Sequence, residues 1–306
     1  MIDIAQLLGC SPSTRFLIIH ADDLGMAESV NRATFDAFRC NAITSASIMA
    51  PCPAFQGAVR EIVASSVPLD IGVHLTITSE WPSYTWGPLI PLGPDSGLVT
   101  RAGMFWPATQ DINRADLQGL ERELKAQWQQ TVRTGVDISH IDSHMFGVLQ
   151  REDFFTVYLR VARAAGLPCL IPPEVGKSPR MRRLLDEGCI VLDGLFQADT
   201  GVSEASWPDF YEDVIQSLRP GLNQLIVHVG YDNAELRQMT DNRRAWGSAW
   251  RQRDLDVLTS KRFRSALQDN EIQLIGWNVI QRALATRYQL GTAHDSNLCD
   301  QAGRSL

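Results

Sequence analysis

Six histidines are few for a chain of 306 residues, and four of them fall where catalysis could use them. His20 follows the apolar run FLII, His74 lies in DIGVHL, His228 follows NQLIV, and His144 comes two residues after the short run SHID. Each is at, or within two residues of, the C-terminal end of an expected strand, the face on which α/β barrels assemble their sites. A single histidine there is most often a hydrogen-bonded structural residue. Four that converge, joined by the adjacent carboxylates Asp22 and Asp23, indicate a site. Two neighbouring anions repel unless a cation lies between or beside them; the alternative for either aspartate is to cap the helix that follows. Two imidazoles and one carboxylate around a divalent ion leave positions open for water and substrate, as catalytic rather than structural centres do. That chemistry favours hydrolysis.

The segment from Ser139 to His144 (SHIDSH) adds detail. If its strand continues, His140, Asp142 and His144 share one face, because side chains alternate with period two. His140 starts the strand, on the deeper side, and is expected to pack in the core or support a ligand rather than be one. Asp142 is placed to accept the remaining N–H of a ligating histidine and fix its ring.

The elements that must position these groups alternate from end to end: short β-branched runs and longer amphipathic segments, the pattern of βα units around a parallel sheet. Strands are expected at 16–19, 44–49, 70–75, 139–142, 169–171, 190–192, 222–227 and 273–275. Helices are expected at 28–40, 54–64, 114–134, 153–165, 180–187, 209–218 and 261–268. Eight strands suggest an α/β fold of (β/α)-barrel-like form. Asp153 is the expected N-cap of the fourth helix and Gly166 its stop signal. With no repeat and no low-complexity linker, residues 1–290 read as one domain and 291–306 as a loose polar tail. The 35 or so residues after Leu75 are rich in Pro, Gly and Trp, and so long a loop is usually functional. A second long loop is expected over 230–253.

Composition excludes several classes. At 44% apolar and 21% charged, a chain of this length buries a core without disulfides or structural metal. A formal net charge of −7 provides no basic field for nucleic acid, and the basic run 177–183 reads as a solvated helix face. The cysteines at 10, 40, 52, 169, 189 and 299 form no C-x-x-C, and a reducing, cytoplasmic setting fits them. Leu7-Leu8-Gly9-Cys10 resembles a lipoprotein cleavage site, but Asp3 interrupts the apolar run and nothing basic precedes it. No apolar run approaches the roughly 20 residues of a membrane span.

HADDLG, GVHLTITSEW, SHIDSH, VHVGYDN and RDLDVLTS, in this order from Arg15 to Val279, resemble the YdjC/ChbG family of carbohydrate deacetylases. The resemblance implies a distorted TIM-type barrel of the polysaccharide-deacetylase kind, and metal-dependent removal of acetyl groups from N-acetylated sugars or oligosaccharides. By motif it makes Asp23, His74 and His144 metal ligands, Asp22 the general base and His228 the general acid, with Asp232 beside it. Magnesium is the ion the family implies; two imidazoles suit zinc or another transition metal better. Glu80, Trp81, Tyr84 and Trp86 in the long loop are candidates to bind the sugar, with loop packing as the alternative for the aromatics. The chain departs from chitooligosaccharide-specific members, which often read NADDFG and carry a histidine-rich run where Met145, Phe146 and Gly147 stand here. Rival readings are a barrel phosphodiesterase or other amidohydrolase, and a sugar-binding protein on a decayed enzyme scaffold. Whether the chain forms a homodimer is not legible.

Overall fold

Seven strands form one parallel sheet among the described residues: β1 (Arg15–Leu24), β2 (Ser45–Ile48), β3 (Ile71–Leu75), β4 (Ile138–Ser143), β5 (Gly194–Phe196), β6 (Gly221–Val227) and β7 (Gln273–Leu274). The structure, a computed structural model, describes residues 1–186, 188–243 and 245–287; the expected tail 291–306, Glu187 and Cys299 lie outside them. The strand order is β4-β3-β2-β1-β6-β5, with β7 pairing the first residues of β1 below β2.

The ladder does not close as a regular barrel. A few backbone hydrogen bonds link its two ends: Ile141 N to Pro168 O and Leu170 N to Ile141 O, then Leu192 N to Ile171 O and Asp193 N to Leu222 O. Two expected strands are thereby corrected. Residues 169–171 make only an isolated bridge to β4, because Pro168 and Pro172–Pro173 flank them and cannot donate to a ladder. The run 190–192 hydrogen-bonds singly, and its strand begins two residues later, as β5.

Period two in β1 sorts the core. Leu17, Ile19 and Ala21 join the large cluster beneath the surrounding helices, while Phe16 and Ile18 pack with Leu170, Leu192, Leu222 and Trp277 in a second cluster. That second cluster fills the lower interior of the curved sheet. The polar residues of the site stack above it.

Helices Glu28–Arg39, Phe55–Ala64, Leu117–Val132, Glu152–Ala165, Trp207–Ser217 and Lys261–Asp269 lie close to expectation. Three boundaries differ. Arg151, not Asp153, is the N-cap residue of the helix at Glu152; Asp153 lies in its first turn, where a negative charge still favours the helix dipole. Gly166 ends that helix in the left-handed region (φ 68) as expected. The expected helix 180–187 is a single turn, Pro179–Arg182. The stretch read as a loop over 230–253 holds a short helix, Ala234–Met239, and the start of a longer one, Ser248–Thr259. Arg251 and Asp254 occupy buried positions of the longer helix, so charged residues stand where helical periodicity looks for apolar ones. No helix among the described residues is long and apolar enough to cross a membrane.

Candidate active site

Strict alternation along β1 would send Asp22 and Asp23 to opposite faces. The chain avoids this with an irregularity: the β1–β2 register shifts between Ala21 and Leu24, and Asp23 adopts φ 70. A non-glycine residue in that region costs on the order of 1–3 kcal/mol, a strain that clusters at functional sites. Both carboxylates consequently face one centre, with Asp22 Oδ2 3.8 Å and Asp23 Oδ1 3.5 Å from His74 Nε2. β1 runs on through Leu24 and the next helix is capped at Ala27, so neither aspartate serves as its cap.

The β3–β4 register sets His74 opposite Asp142. Asp142 Oδ1 lies 2.8 Å from His74 Nδ1, and Ser47 bridges the pair, 2.9 Å from that nitrogen and donating to Asp142 Oδ2 at 2.8 Å. His20 Nε2 approaches the same Oδ2 at 2.9 Å and Asp22 Oδ1 at 3.3 Å. Burial works against charge on His74, but Asp142 and Asp22 outweigh it and raise its pKa well above the usual value. Burial likewise opposes ionisation of Asp142, yet His74 and His20 hold it in the carboxylate form.

β4 ends at Ser143, and Met145 and Phe146 both take left-handed backbone (φ 50 and 52), turning the chain just after His144. His144 Nδ1 stands 3.1 Å from Asp23 Oδ1, and its Nε2 stands 2.9 Å from Glu80 Oε2. Burial would lower its pKa; Glu80 and Asp23 instead raise it to about 9. Asp23 is itself buried, which alone would raise its pKa, but Arg251, His144 and His74 hold it well below the carboxylate range. Arg251 Nη2 donates to Asp23 Oδ2 at 2.7 Å, leaving Oδ1 without a hydrogen bond. Burial raises Asp22 to about 6, with His74 and His20 acting against it and Asp142 and Asp23 with it.

Asp23, His74 and His144 each offer a donor atom within 4.8 Å of the other two. Asp23 Oδ1 and His74 Nε2 are buried without hydrogen-bond partners, so the donor set fits one divalent ion by geometry and by chemistry. Two further groupings meet the same distance, His20/His140/Asp142 and Asp22/His74/Asp142, but in them His20 and His74 already pair with Asp142.

His228 leaves the end of β6, where Val227 pairs with Ala21, and its Nε2 lies 4.0 Å from Asp22 Oδ2. Burial lowers its pKa to about 3, Asp23 opposing and Arg251 assisting. Asp232 does not act on it: that carboxylate is held by Arg237 at 2.7 Å through both oxygens. The acid that touches His228 is Asp254, which accepts from its backbone N–H at 2.8 Å and also from Trp207 Nε1 and the Tyr211 hydroxyl. His140 is fully buried and stacks on Trp277 (5.2 Å, 17°), and a Cβ on Gly72 would lie 2.3 Å from its ring. It packs in the interior, below the ligand set.

Asp22, Asp23, His144 and His228 floor a cavity of ≈ 420 Å³ whose walls include Trp81, Phe146, Arg243 and Trp246. A roomier hollow of ≈ 580 Å³, beside Leu159 and Cys169, holds no such cluster. Of the loop residues expected to contact substrate, Trp81 and Glu80 line the cavity, although Glu80 is also engaged by His144. Trp86 and Tyr84 do not: Trp86 is buried with its indole N–H on Thr78 O, and the Tyr84 hydroxyl donates to Met26 O. Sequence reasoning missed Ser47, Arg251 and Asp254. Ser47 was legible in principle, two residues after Ser45 on a strand whose other positions are apolar.

Fold and site together define an α/β protein with a buried carboxylate–imidazole centre at the C-terminal ends of parallel strands. Residues 16–269 match the family model described as YdjC-like protein, and the chain belongs to that family. It is 30% identical over 291 residues to a carbohydrate deacetylase of Thermus thermophilus, covering 92% of this chain and 100% of that protein. It is 23% identical to a carbohydrate deacetylase of Thermoanaerobacter pseudethanolicus, covering 87% and 100%. A crystal structure from Enterococcus faecalis, named for cellobiose-phosphate cleavage, shares the fold with a TM-score of 0.74 at 24% identity, over 88% of this chain and 99% of that one.

Proposed function

We propose that the chain is a metal-dependent carbohydrate deacetylase that hydrolyses the acetamide of an N-acetylated sugar or oligosaccharide. The observation that carries this is the convergence of donor atoms of Asp23, His74 and His144 within 4.8 Å of one another, with Asp22, Asp23 and His144 lining the cavity and the buried His74 Nε2 without a hydrogen-bond partner. The relatives named as carbohydrate deacetylases supply the substrate class.

Asp23, His74 and His144 would hold the ion, and its bound form supplies Lewis acidity toward an acyl oxygen and a water. Two imidazoles favour zinc, cobalt or iron over the magnesium the family implies. Asp22 takes the proton of the attacking water. His228, neutral at pH 7 in its buried setting, receives a proton during turnover from the direction of Asp22 and passes it to the departing amine. Trp81, buried beneath the Arg243 guanidinium, backs the cavity wall against which the sugar would lie, and Glu80 fixes the His144 ring. Asp142, with Ser47 and His20, fixes the tautomer of His74.

Residues 1–290 act as one catalytic domain in this reading. Cys10, Cys40, Cys52, Cys169 and Cys189 are free thiols, in keeping with a cytoplasmic setting. A homodimer is compatible with the reading, which does not require one. The test is acetate release from N-acetylglucosamine and its β-1,4 oligomers by protein whose metal content has been measured. Chelator-sensitive release supports the proposal. Cleavage of a phosphodiester to a phosphomonoester and an alcohol, or tight sugar binding without turnover, would replace it with a phosphodiesterase or a binding protein.

A further inference from the structure

Arg251 is the one fully buried arginine among the largest buried side chains, 1% exposed, and it reaches the floor of the same cavity from the first turns of helix Ser248–Thr259. Two of its donors are used: Nε donates to Trp246 O at 2.9 Å and Nη2 to Asp23 Oδ2 at 2.7 Å. Nη1 is buried with no hydrogen-bond partner. An orphaned guanidinium N–H costs free energy that folding ordinarily avoids, so its persistence beside a ligand cavity points to a ligand that completes it.

The site is also built to admit this side chain. A Cβ on Gly230 would lie 3.0 Å from Arg251 Cβ and 3.2 Å from its Cδ, and Gly230 N donates to Arg251 O at 3.3 Å. The same Cβ would lie 2.8 Å from Leu236 Cδ2, so the glycine two residues after His228 leaves space for both Leu236 and the arginine stem. Trp246, whose carbonyl holds Nε, has left-handed backbone (φ 54) and stacks on Trp250 at 5.1 Å, which fixes the acceptor. The guanidinium of this cavity-lining residue is therefore held in place and desolvated before substrate arrives, which is the condition for strong electrostatic stabilisation of developing charge.

Resting on the deacetylase reading above, we propose that Arg251 is a further catalytic residue, its Nη1–H donating to the acyl oxygen as that atom gains negative charge. The water oxygen bonds to the acyl carbon while the carbonyl π pair moves onto oxygen, and the water's proton goes to Asp22. When that pair returns, the C–N bond breaks, the amine nitrogen takes a proton by way of His228, and acetate and free amine leave. Nη1 donates throughout and loses no proton. Through Nη2 the same side chain occupies Asp23 Oδ2, so Asp23 offers its other oxygen to the ion.

The two roles separate in Arg251→Lys, which keeps the charge beside Asp23 but has no planar fork to serve two acceptors at once. The metal-loaded full-length protein is titrated by calorimetry with the methylphosphonamidate of glucosamine, whose charged tetrahedral phosphorus copies the reacting carbon, and with N-acetylglucosamine. The variant is expected to bind the phosphonamidate about 10²–10³-fold more weakly, to bind the N-acetyl sugar within a few-fold of wild type, and to lose kcat by a similar factor. Loss on an N-trifluoroacetyl substrate, whose oxyanion is intrinsically stabilised, should be smaller. Unchanged phosphonamidate affinity overturns the proposal, and so does full recovery of activity in excess metal, which would leave Arg251 only the role of holding Asp23. Should Arg251→Lys fail to fold by circular dichroism, Arg251→Gln, which keeps a side-chain N–H donor without the charge, is read in the same titration and is expected to weaken phosphonamidate binding as well. A wild-type protein that deacetylates no sugar refutes the deacetylase reading instead, a result separate from any difference between variant and parent.

Discussion

Asp142 Oδ1 lies 2.8 Å from His74 Nδ1, across neighbouring strands in register. That contact commits Nδ1 as a donor and turns Nε2 toward the aspartates of β1. Partners of this kind typically contribute 10–100-fold to metal affinity. Asp142→Asn should therefore weaken the site by about that factor, and His74→Ala or His144→Ala should abolish metal retention while the far-ultraviolet dichroism stays native. Competition against a chromogenic chelator measures all three. Full occupancy in either histidine variant would remove that residue from the ligand set.

Asp22 and Asp23 are neighbours with opposite electrostatics: burial raises one to about 6, while Arg251 and two histidines hold the other well below the carboxylate range. Asp22→Asn should keep the ion and lose about 10²–10⁴ in kcat, the usual contribution of general-base catalysis. Asp23→Asn should weaken metal binding and also lower the melting temperature, because it leaves the buried Arg251 guanidinium without its counter-charge. Identical metal titration curves for the two variants would contradict this division.

Asp254 supplies a pH test away from the ligand atoms. Burial raises its pKa to about 6 against the restraining contacts of Tyr211, the His228 amide, Trp207 and Arg251. A carboxyl raised from the ordinary 3.8 to about 6 binds more protons folded than unfolded between those values, so its contribution is fully present below pH 4 and is lost as pH rises through 6. Two units correspond to about 3 kcal/mol. In chelator-treated protein, the urea stability of wild type relative to Asp254→Asn should fall by about 1–3 kcal/mol from pH 4 to pH 7. A pH-independent difference would show that Asp254 titrates normally.

How much of this could be read beforehand depends on what each residue's position rests on. His74, Asp142 and His228 were legible because strand ends are set by apolar runs, and period two then fixes the inward face. Asp22 and Asp23 were legible as a pair, but not how both reach one centre, since that depends on the left-handed backbone of Asp23, which no periodicity announces. Arg251 was hidden because charge broke the apolar stripe of its helix and the stretch to 253 read as loop, whereas Asp254 stood inside the motif RDLDVLTS without a role that its spacing could assign. The strand expected at 190–192 slipped to Gly194–Phe196 because proline-flanked 169–171 offers only single hydrogen bonds as a neighbour. Trp86 and Trp81 look alike in sequence and are equally buried; that Trp81 alone of the two contributes to the cavity wall was set by the fold of the long loop.

His228 is the candidate acid, and its setting makes a demanding prediction. Its ring nitrogen Nε2 is 4.0 Å from Asp22, its backbone is anchored by Asp254, and burial lowers its pKa to about 3. At neutral pH it therefore enters the cycle uncharged and can protonate the amine only with a proton gained during turnover, after Asp22 has taken one from water. Such an acid matters most when the leaving group is a poor one. His228→Ala should bind metal as wild type does, because the ligand set does not include it, and lose activity in kcat with little change in KM. On an N-acetyl sugar the loss should be about 10²-fold or more, in the range of acid–base catalysis. On 4-nitrophenyl acetate, whose leaving phenolate needs no proton, the loss should be several-fold at most. The sinking result is an equal loss on amide and activated ester, which would assign His228 to holding the cavity floor rather than to proton delivery.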